Sequence, residues 1–279
     1  MQRWIAVAAG LLAVFVLLGF VITWVPKQRS RAEQEACKNN LKVLSLFAAH
    51  HSQPKRGREV ELPREIPSGT IVLAGVPADE RLSWVVATLP GFNQAQQDTM
   101  AVAAAIDVKL PWSAAINQKA ARIKLLGVIC PGRPAFVEAD VPAPTQYVGI
   151  AGLGVDAATL QFLPPGSADP NAGCFHYDSP TPFSAITDGL SQTLLFGERS
   201  DDLGPWLRGG PATLRGLDNR PGARPLIGDG GQFGGNHPFS ANWAFADGSV
   251  RAITPQIEPR ILYEMATIAG KGDAALPDE

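Results

Sequence analysis

The stretch WIAVAAGLLAVFVLLGFVITWV, Trp4 to Val25, holds 22 residues without a charge. At about 1.5 Å per residue, a helix of this length spans a hydrocarbon core of about 30 Å. Trp4 and Trp24 stand at its two ends, where interfacial aromatics belong. No other part of the chain restricts the fold as much. The competing reading is a secretory signal peptide, whose apolar region is about 7–15 residues and ends in a small-residue cleavage site. The run here is longer, and TWVPKQRSRAEQEACKNN after it offers no Ala-x-Ala site near the membrane edge. The sequence therefore predicts an uncleaved transmembrane anchor over residues 1–28. Only Arg3 and the amino terminus are positive before the span, whereas Lys27, Arg29, Arg31 and Lys38 follow it. Counted literally, the positive-inside rule would place the large domain in the cytoplasm.

Pro26 can mark a bend just after the span. An amphipathic stalk helix is expected over residues 29–52, with Cys37, Leu41, Leu44 and Ala48 on one face at steps of four, three and four. His50 and His51 end that helix; adjacent residues point in different directions, so they do not readily share a metal. Residues 53–258 read as a strand-rich head. Strands are expected at TIVLAG (70–75), TQYVGIAGLG (145–154) and SQTLLFGE, with a turn at Asp188-Gly189. Helical stretches interrupted at Pro111 fill about Thr99 to Leu126, and the apolar run after Arg81 breaks at Pro90-Gly91. The glycine-rich segment between Gly209 and His237 reads as irregular. Residues 259–279 carry a short helix and an acidic tail. The 28 glycines and 24 prolines favour many turns over a helical bundle. A net charge of -2 without a basic stripe argues against a nucleic-acid partner.

Residues 237–254, HPFSANWAFADGSVRAIT, pose the chemical question, because a histidine is followed ten positions later by Asp-Gly. There is no Gly-x-Ser-x-Gly elbow, and a Ser249–His237–Asp247 triad would need a hairpin to fold sharply on itself. Asp229, Asn236, His237 and Asp247 offer cation ligands near a glycine-rich loop, but without the Asp-x-Asp-x-Asp-Gly pattern of a calcium loop. Cys37, Cys130 and Cys174 show no metal-ligand spacing. They fit one disulfide plus a free thiol in an exported domain, or three separate buried thiols. No metal, cofactor or catalytic residue is assigned. The structural reading of the stretch is a hairpin with a two-residue type I′ turn at Asp247-Gly248, and His237 at the loop entering its first strand.

His237, nine intervening residues and Asp247-Gly248 match the H-X9-DG element of the bacterial prepilin-type, processing-associated proteins, the DUF1559 family. CKNNLKVLSLFAAHH (37–51) resembles that family's stalk helix. LSWVVATLPGFNQ, VICPG, YVGIAG and ITDGLSQTLLFGERS resemble its Ser-Trp, Leu-Cys-Pro, Tyr-Val-Gly and Ile-Thr-Asp-Gly…Gly-Glu segments in order, over about residues 30–254. The resemblance implies an α+β, pilin-like architecture. A long amino-terminal helix, half in the membrane, carries a strand-rich head with an antiparallel sheet outside the cytoplasm. It implies no established enzyme activity or cofactor, and it names His237, Asp247, Gly248, Asp188 and Gly189 as structural motif residues. The pairing to test for a disulfide is Cys37–Cys130, which would persist only in an oxidising compartment.

One departure matters. Prepilins usually carry a Gly-Phe cleavage site before the apolar run and Glu at the fifth mature position. Here Gly19-Phe20 lies inside the run, and the fifth position from Phe20 is Trp24. Prepilin peptidase is therefore not expected to process the chain. The reading is a single-pass inner-membrane protein with a periplasmic head, a non-catalytic pseudopilin-like component of a type II secretion or type IV pilus-like assembly. Its partners would be the lipid bilayer and pseudopilin-like subunits or secretion machinery. The alternatives are a membrane-tethered ion- or glycan-binding module using the glycine-rich 228–236 loop, and a hydrolase using His237.

Overall fold

The computed structural model describes residues 2–50, 65–89, 98–133, 140–160, 169–237 and 239–270, together with 135 and 138. Helix α1 runs over Gln2–His50, 49 residues with Pro26 inside it. The helix continues through Pro26, where the sequence allowed a bend. The proline removes one amide donor from the ladder, yet helix-forming sequence on both sides carries the backbone through. Anchor and stalk segments are therefore one helix. Among the described residues no helix is long and apolar enough to cross a membrane. Most side chains of the Trp4–Val25 run lie outside that set, so the span is a reading of the sequence alone. Also outside it are His51, the 53–64 loop, Pro90-Gly91 and the acidic tail from residue 271.

The stalk half of α1 docks as its periodicity predicts: Cys37, Leu41, Leu44 and Ala48 are each fully buried. Burying a leucine contributes about 1.5–3 kcal/mol, so this stripe holds the helix on the head. Ser45 returns its hydroxyl to the carbonyl of Leu41 at 2.8 Å, which lets a polar residue sit inside the stripe.

The head is built on a five-stranded sheet. Its strands are β4 (Tyr147–Leu153), β6 (Leu194–Glu198), β7 (Leu214–Leu217), β8 (Ala241–Phe245) and β9 (Val250–Ile253), in the order β7-β4-β6-β8-β9. The sheet is mixed. All pairs are antiparallel except β4–β7, which is parallel at the edge. The expected antiparallel sheet is present with one parallel pair at its edge, and β7 is a strand within the 209–237 segment that reads as irregular. β7 is only four residues long, and its pairing with β4 comes from tertiary contact, so no local period announces it. Two small antiparallel pairs lie outside the main sheet. One joins β1 (Glu65–Ile66) to β5 (Thr181–Pro182), and the other joins β2 (Thr70–Ile71) to β3 (Leu82–Ser83).

Side-chain alternation puts one core on each face of the sheet. Tyr147, Ala151, Ala244 and Ala246 face the core that contains the α1 stripe. Val148, Ile150, Trp243 and Phe245 face a second core closed by helix α5 (Pro259–Ala266) through Leu262, Tyr263 and Ala266. The carboxyl-terminal helix is thus packed into the head. Short helices α2 (Trp84–Thr88), α3 (Thr99–Ala104) and α4 (Ala115–Ala121) complete the α1 side. There Trp84 packs against Phe196 and Phe175 with ring centroids 4.7 and 5.8 Å away. Its indole donates to the carbonyl of Thr213 at 3.1 Å.

The hairpin joining β8 and β9 differs from the expected one. Gly248 donates to the carbonyl of Phe245 at 2.9 Å, and Phe245 donates to that of Ser249 at 2.9 Å. Gly248 has φ +85°, but Asp247 does not enter the positive-φ region. The connection is a three-residue loop, a turn followed by a left-handed glycine that bulges, and not a two-residue type I′ turn. Asp247 instead accepts the backbone N–H of Ser249 on Oδ1 at 2.8 Å.

Candidate functional site

Four residues far apart in sequence meet between α1 and the sheet. Cys37 comes from the buried face of α1. Cys130 follows the short turn Leu126–Val128, Glu198 ends β6, and His237 precedes β8. Cys37 and Cys130 are disulfide-bonded, with Cα atoms 5.3 Å apart and a sequence separation of 93. His237 Nε2 lies 3.3 Å from Cys130 Sγ and 3.7 Å from Glu198 Oε2. All four residues are buried, and one ligand atom from each lies within 4.8 Å of all the others.

Register explains why Glu198 is there. Tyr147 pairs with Glu198 across β4–β6, so both side chains point to the α1 face. Gly197, one step before, faces the other core. A Cβ on it would stand 2.8 Å from the ring of Trp243, so the strand needs glycine there to pass that indole. The carboxylate of Glu198 accepts the backbone N–H of Asn242 on Oε1 at 2.8 Å and its side-chain amide on Oε2 at 3.2 Å. Burial pushes the Glu198 carboxyl up to about 7, against the lowering effect of these two bonds. Burial also lowers the His237 imidazole below its ordinary value, opposed by Glu33 and reinforced by Lys38. The Tyr147 hydroxyl is pushed up by burial and then by the Glu198 carboxylate, while the Asn40 side chain acts the other way.

A second layer fixes the loops. Gln146 accepts the N–H groups of Cys130 at 2.9 Å and Ala135 at 3.2 Å. Its amide donates to Arg133 O at 2.8 Å and to Asn236 Oδ1 at 2.9 Å. Asn236 in turn donates to the carbonyl of Arg199 at 2.8 Å. Asn40 on α1 donates to the carbonyl of Ile129 at 3.2 Å. These buried polar side chains are satisfied by backbone and, between Gln146 and Asn236, by each other, which makes the loop positions specific.

A cavity of about 370 Å³ opens beside the cluster, lined in part by Arg133, Asp229, Asn236, His237 and Phe239. Phe239 is 87% exposed and has φ +66°. A bulky residue held in that region is strained by about 1–3 kcal/mol.

The structure separates the sequence candidates. Asp229, Asn236 and His237 share the cavity, whereas Asp247 is exposed at the hairpin tip and serves its turn. Among the described residues no contact links His237 to Ser249 or Asp247, so the triad is not assembled. Asp188 is 82 residues from Gly270 in sequence and accepts its N–H at 3.0 Å, while Gly189 has φ +98° in the turn. Both are remote in role from the cluster. Cys174 is a buried free thiol whose ionisation burial pushes up. Glu198, Asn242, Gln146 and Phe239 were not singled out from the sequence. The one signal for Glu198 is a carboxylate closing the otherwise apolar strand LLFGE.

Neither the curated proteins nor the solved structures contain a match to this chain. A profile of the family described as "Protein of unknown function (DUF1559)" matches residues 27–219, more than half of the chain. The match covers the stalk half of α1, Cys130, Tyr147 and Glu198, and ends before His237. The chain belongs to the DUF1559 family.

Proposed function

We propose that this protein is a membrane-anchored, pseudopilin-like structural or assembly component of the bacterial cell envelope, non-catalytic, with its head in the periplasm. The observation that carries the reading is the division of labour along α1. From Cys37 onward one stripe is fully buried in the head, whereas Trp4, Phe15, Phe20 and Ile22 are 80, 72, 61 and 68% exposed. A helix that leaves large apolar side chains uncovered at one end and is fixed to a head at the other has the form of an anchor with a stalk. The Cys37–Cys130 disulfide supports a head outside the cytoplasm, because such bonds persist in oxidising compartments. It outweighs the charge asymmetry around the span, which is a bias set by few residues.

The non-catalytic reading is supported by the surroundings of His237. Its Nε2 faces the sulfur of a disulfide and a carboxylate, and Ser240, which pairs with His237 in an isolated bridge, accepts the side-chain amide of Gln34 on its hydroxyl at 3.3 Å. The chain is also expected to keep its amino terminus, since Glu is missing at the position prepilins use. A phosphatase reporter fused after Glu279 tests topology. It should be active only when exported, and the extracted fusion should have the mass of the unprocessed chain. Activity confined to a cytoplasmic reporter, or an amino terminus at Phe20, would defeat the proposal.

A further inference from the structure

We infer that Cys37, Cys130, His237 and Glu198 form a zinc site when the disulfide is reduced, so that the same cluster exists either as a disulfide or as a metal centre. The four donors arrive from four separate segments, all are buried, and their ligand atoms lie within 4.8 Å of one another. In a tetrahedral site with metal–ligand bonds of about 2.0–2.3 Å, neighbouring ligand atoms stand about 3.3–3.8 Å apart. Two of the edges involving His237 Nε2 already have that size, 3.3 Å to Cys130 Sγ and 3.7 Å to Glu198 Oε2. The sulfur–sulfur edge has to open, and the three remaining edges are each no longer than 4.8 Å. Two thiolates, an imidazole and a carboxylate form a donor set that favours Zn²⁺ over the harder Mg²⁺ or Ca²⁺.

The surroundings are those of a held ligand set. Asn242 fixes both oxygens of Glu198, and Gln146 fixes the backbone at Cys130. Such outer contacts orient metal ligands and raise affinity. A buried carboxylate without a cation is costly. Among the charged groups close to His237 are Glu33 and Lys38 of α1, of opposite sign, so α1 offers no net countercharge there. Zn²⁺ would offset the two thiolate charges that reduction adds, leaving the site no more negative than in its disulfide form.

The chemistry balances. A dithiol gives the S–S bond two electrons and two protons and closes to its own disulfide; a phosphine gives the two electrons, while water gives the two protons and its oxygen ends in the phosphine oxide. The two thiols then release two protons as the sulfurs bind Zn²⁺. Reoxidation of the thiolates by a disulfide oxidant reforms the S–S bond and expels the ion. This inference does not depend on the membrane role, so either can fail alone.

The test uses the full-length chain in detergent, oxidised or reduced with a phosphine, with Zn²⁺ measured by competition against a chromogenic chelator and Co²⁺ by absorption. The reduced chain should bind one Zn²⁺ and the oxidised chain none, and Co²⁺ should give a thiolate-to-metal charge-transfer band in the near ultraviolet. His237→Ala and Glu198→Gln should each weaken Zn²⁺ by at least about tenfold, while Cys174→Ala should leave it unchanged. If reduction unfolds the head, recovery of its near-ultraviolet dichroism on adding Zn²⁺ supports the site, and no recovery overturns it. It is also overturned if the folded reduced chain takes up no stoichiometric Zn²⁺, or if both variants bind as tightly as the parent.

Discussion

Glu198 and His176 are both buried, and burial moves their protonation in opposite senses. For Glu198 the neutral form gains, and its carboxyl rises to about 7. For His176 the neutral form also gains, but that lowers its value below the ordinary one, against the backbone carbonyls of Leu160 and Gly173. The unfolded chain binds the proton of His176 below about pH 6.5, while the folded chain binds it less readily. Stability from this residue is therefore complete above that pH and lost as the pH falls through it. Melting temperatures of the oxidised chain and of His176→Gln, measured from pH 7.5 to 5, should show the smaller acid loss in the variant. Equal losses would remove His176 from the account. None of this is legible in the sequence, where His176 is one of four histidines and nothing local marks it as buried.

At the scale of elements, the hairpin shows how far local pattern reaches. Alternation in NWAFADGSVRAI predicts two strands and a turn at Asp-Gly, and β8 and β9 are there. The turn type differs because the pattern fixes where a chain reverses, while the loop length also depends on what the flanking residues meet. Ala246 donates to the carbonyl of Thr193 at 2.9 Å and Asp247 to that of Leu190 at 3.1 Å, so the loop before β6 holds this tip. Only Gly248 then needs positive φ. Gly248→Ala should cost about 1 kcal/mol or more, and Asp247→Ala less, since it loses one exposed side-chain bond to Ser249. Denaturant titration checks the order; an equal or larger cost for Asp247→Ala would favour a turn with both residues left-handed. The stripe on α1 was legible for the complementary reason. A helix face repeats over about three turns here and needs only one partner surface, so Cys37, Leu41, Leu44 and Ala48 announce themselves. Strand β7, four residues paired in parallel with β4, has no such repeat.

The whole molecule is a head fastened to one end of a long helix. The disulfide closes a loop of 93 residues, which in the chain-entropy account stabilises the head by about 4–5 kcal/mol. The apolar fastening begins at Cys37, preceded by the Gln34 amide donating to Ser240 Oγ at 3.3 Å, and no described side chain before Cys37 contributes to either core. A chain lacking residues 2–25 should therefore keep its unfolding free energy to within about 0.5 kcal/mol, as surface changes do, and leave the membrane fraction. Loss of the near-ultraviolet dichroism of Trp84, Trp206 and Trp243 in that variant would place part of the fold in the amino-terminal half of α1. By itself the sequence determined the apolar run, the stalk stripe, the strand positions of β4, β6, β8 and β9, and the family. Each is a local period or an ordered set of short motifs, readable without knowing what lies across from it. Only the tertiary structure decided the mixed sheet, the turn at Gly248 and the meeting of Cys37, Cys130, Glu198 and His237. Those depend on which strand faces which and on which core each side chain enters, and contacts between residues far apart in the chain, 39 positions for Glu198 and His237 and 93 for Cys37 and Cys130, leave no periodic mark on it.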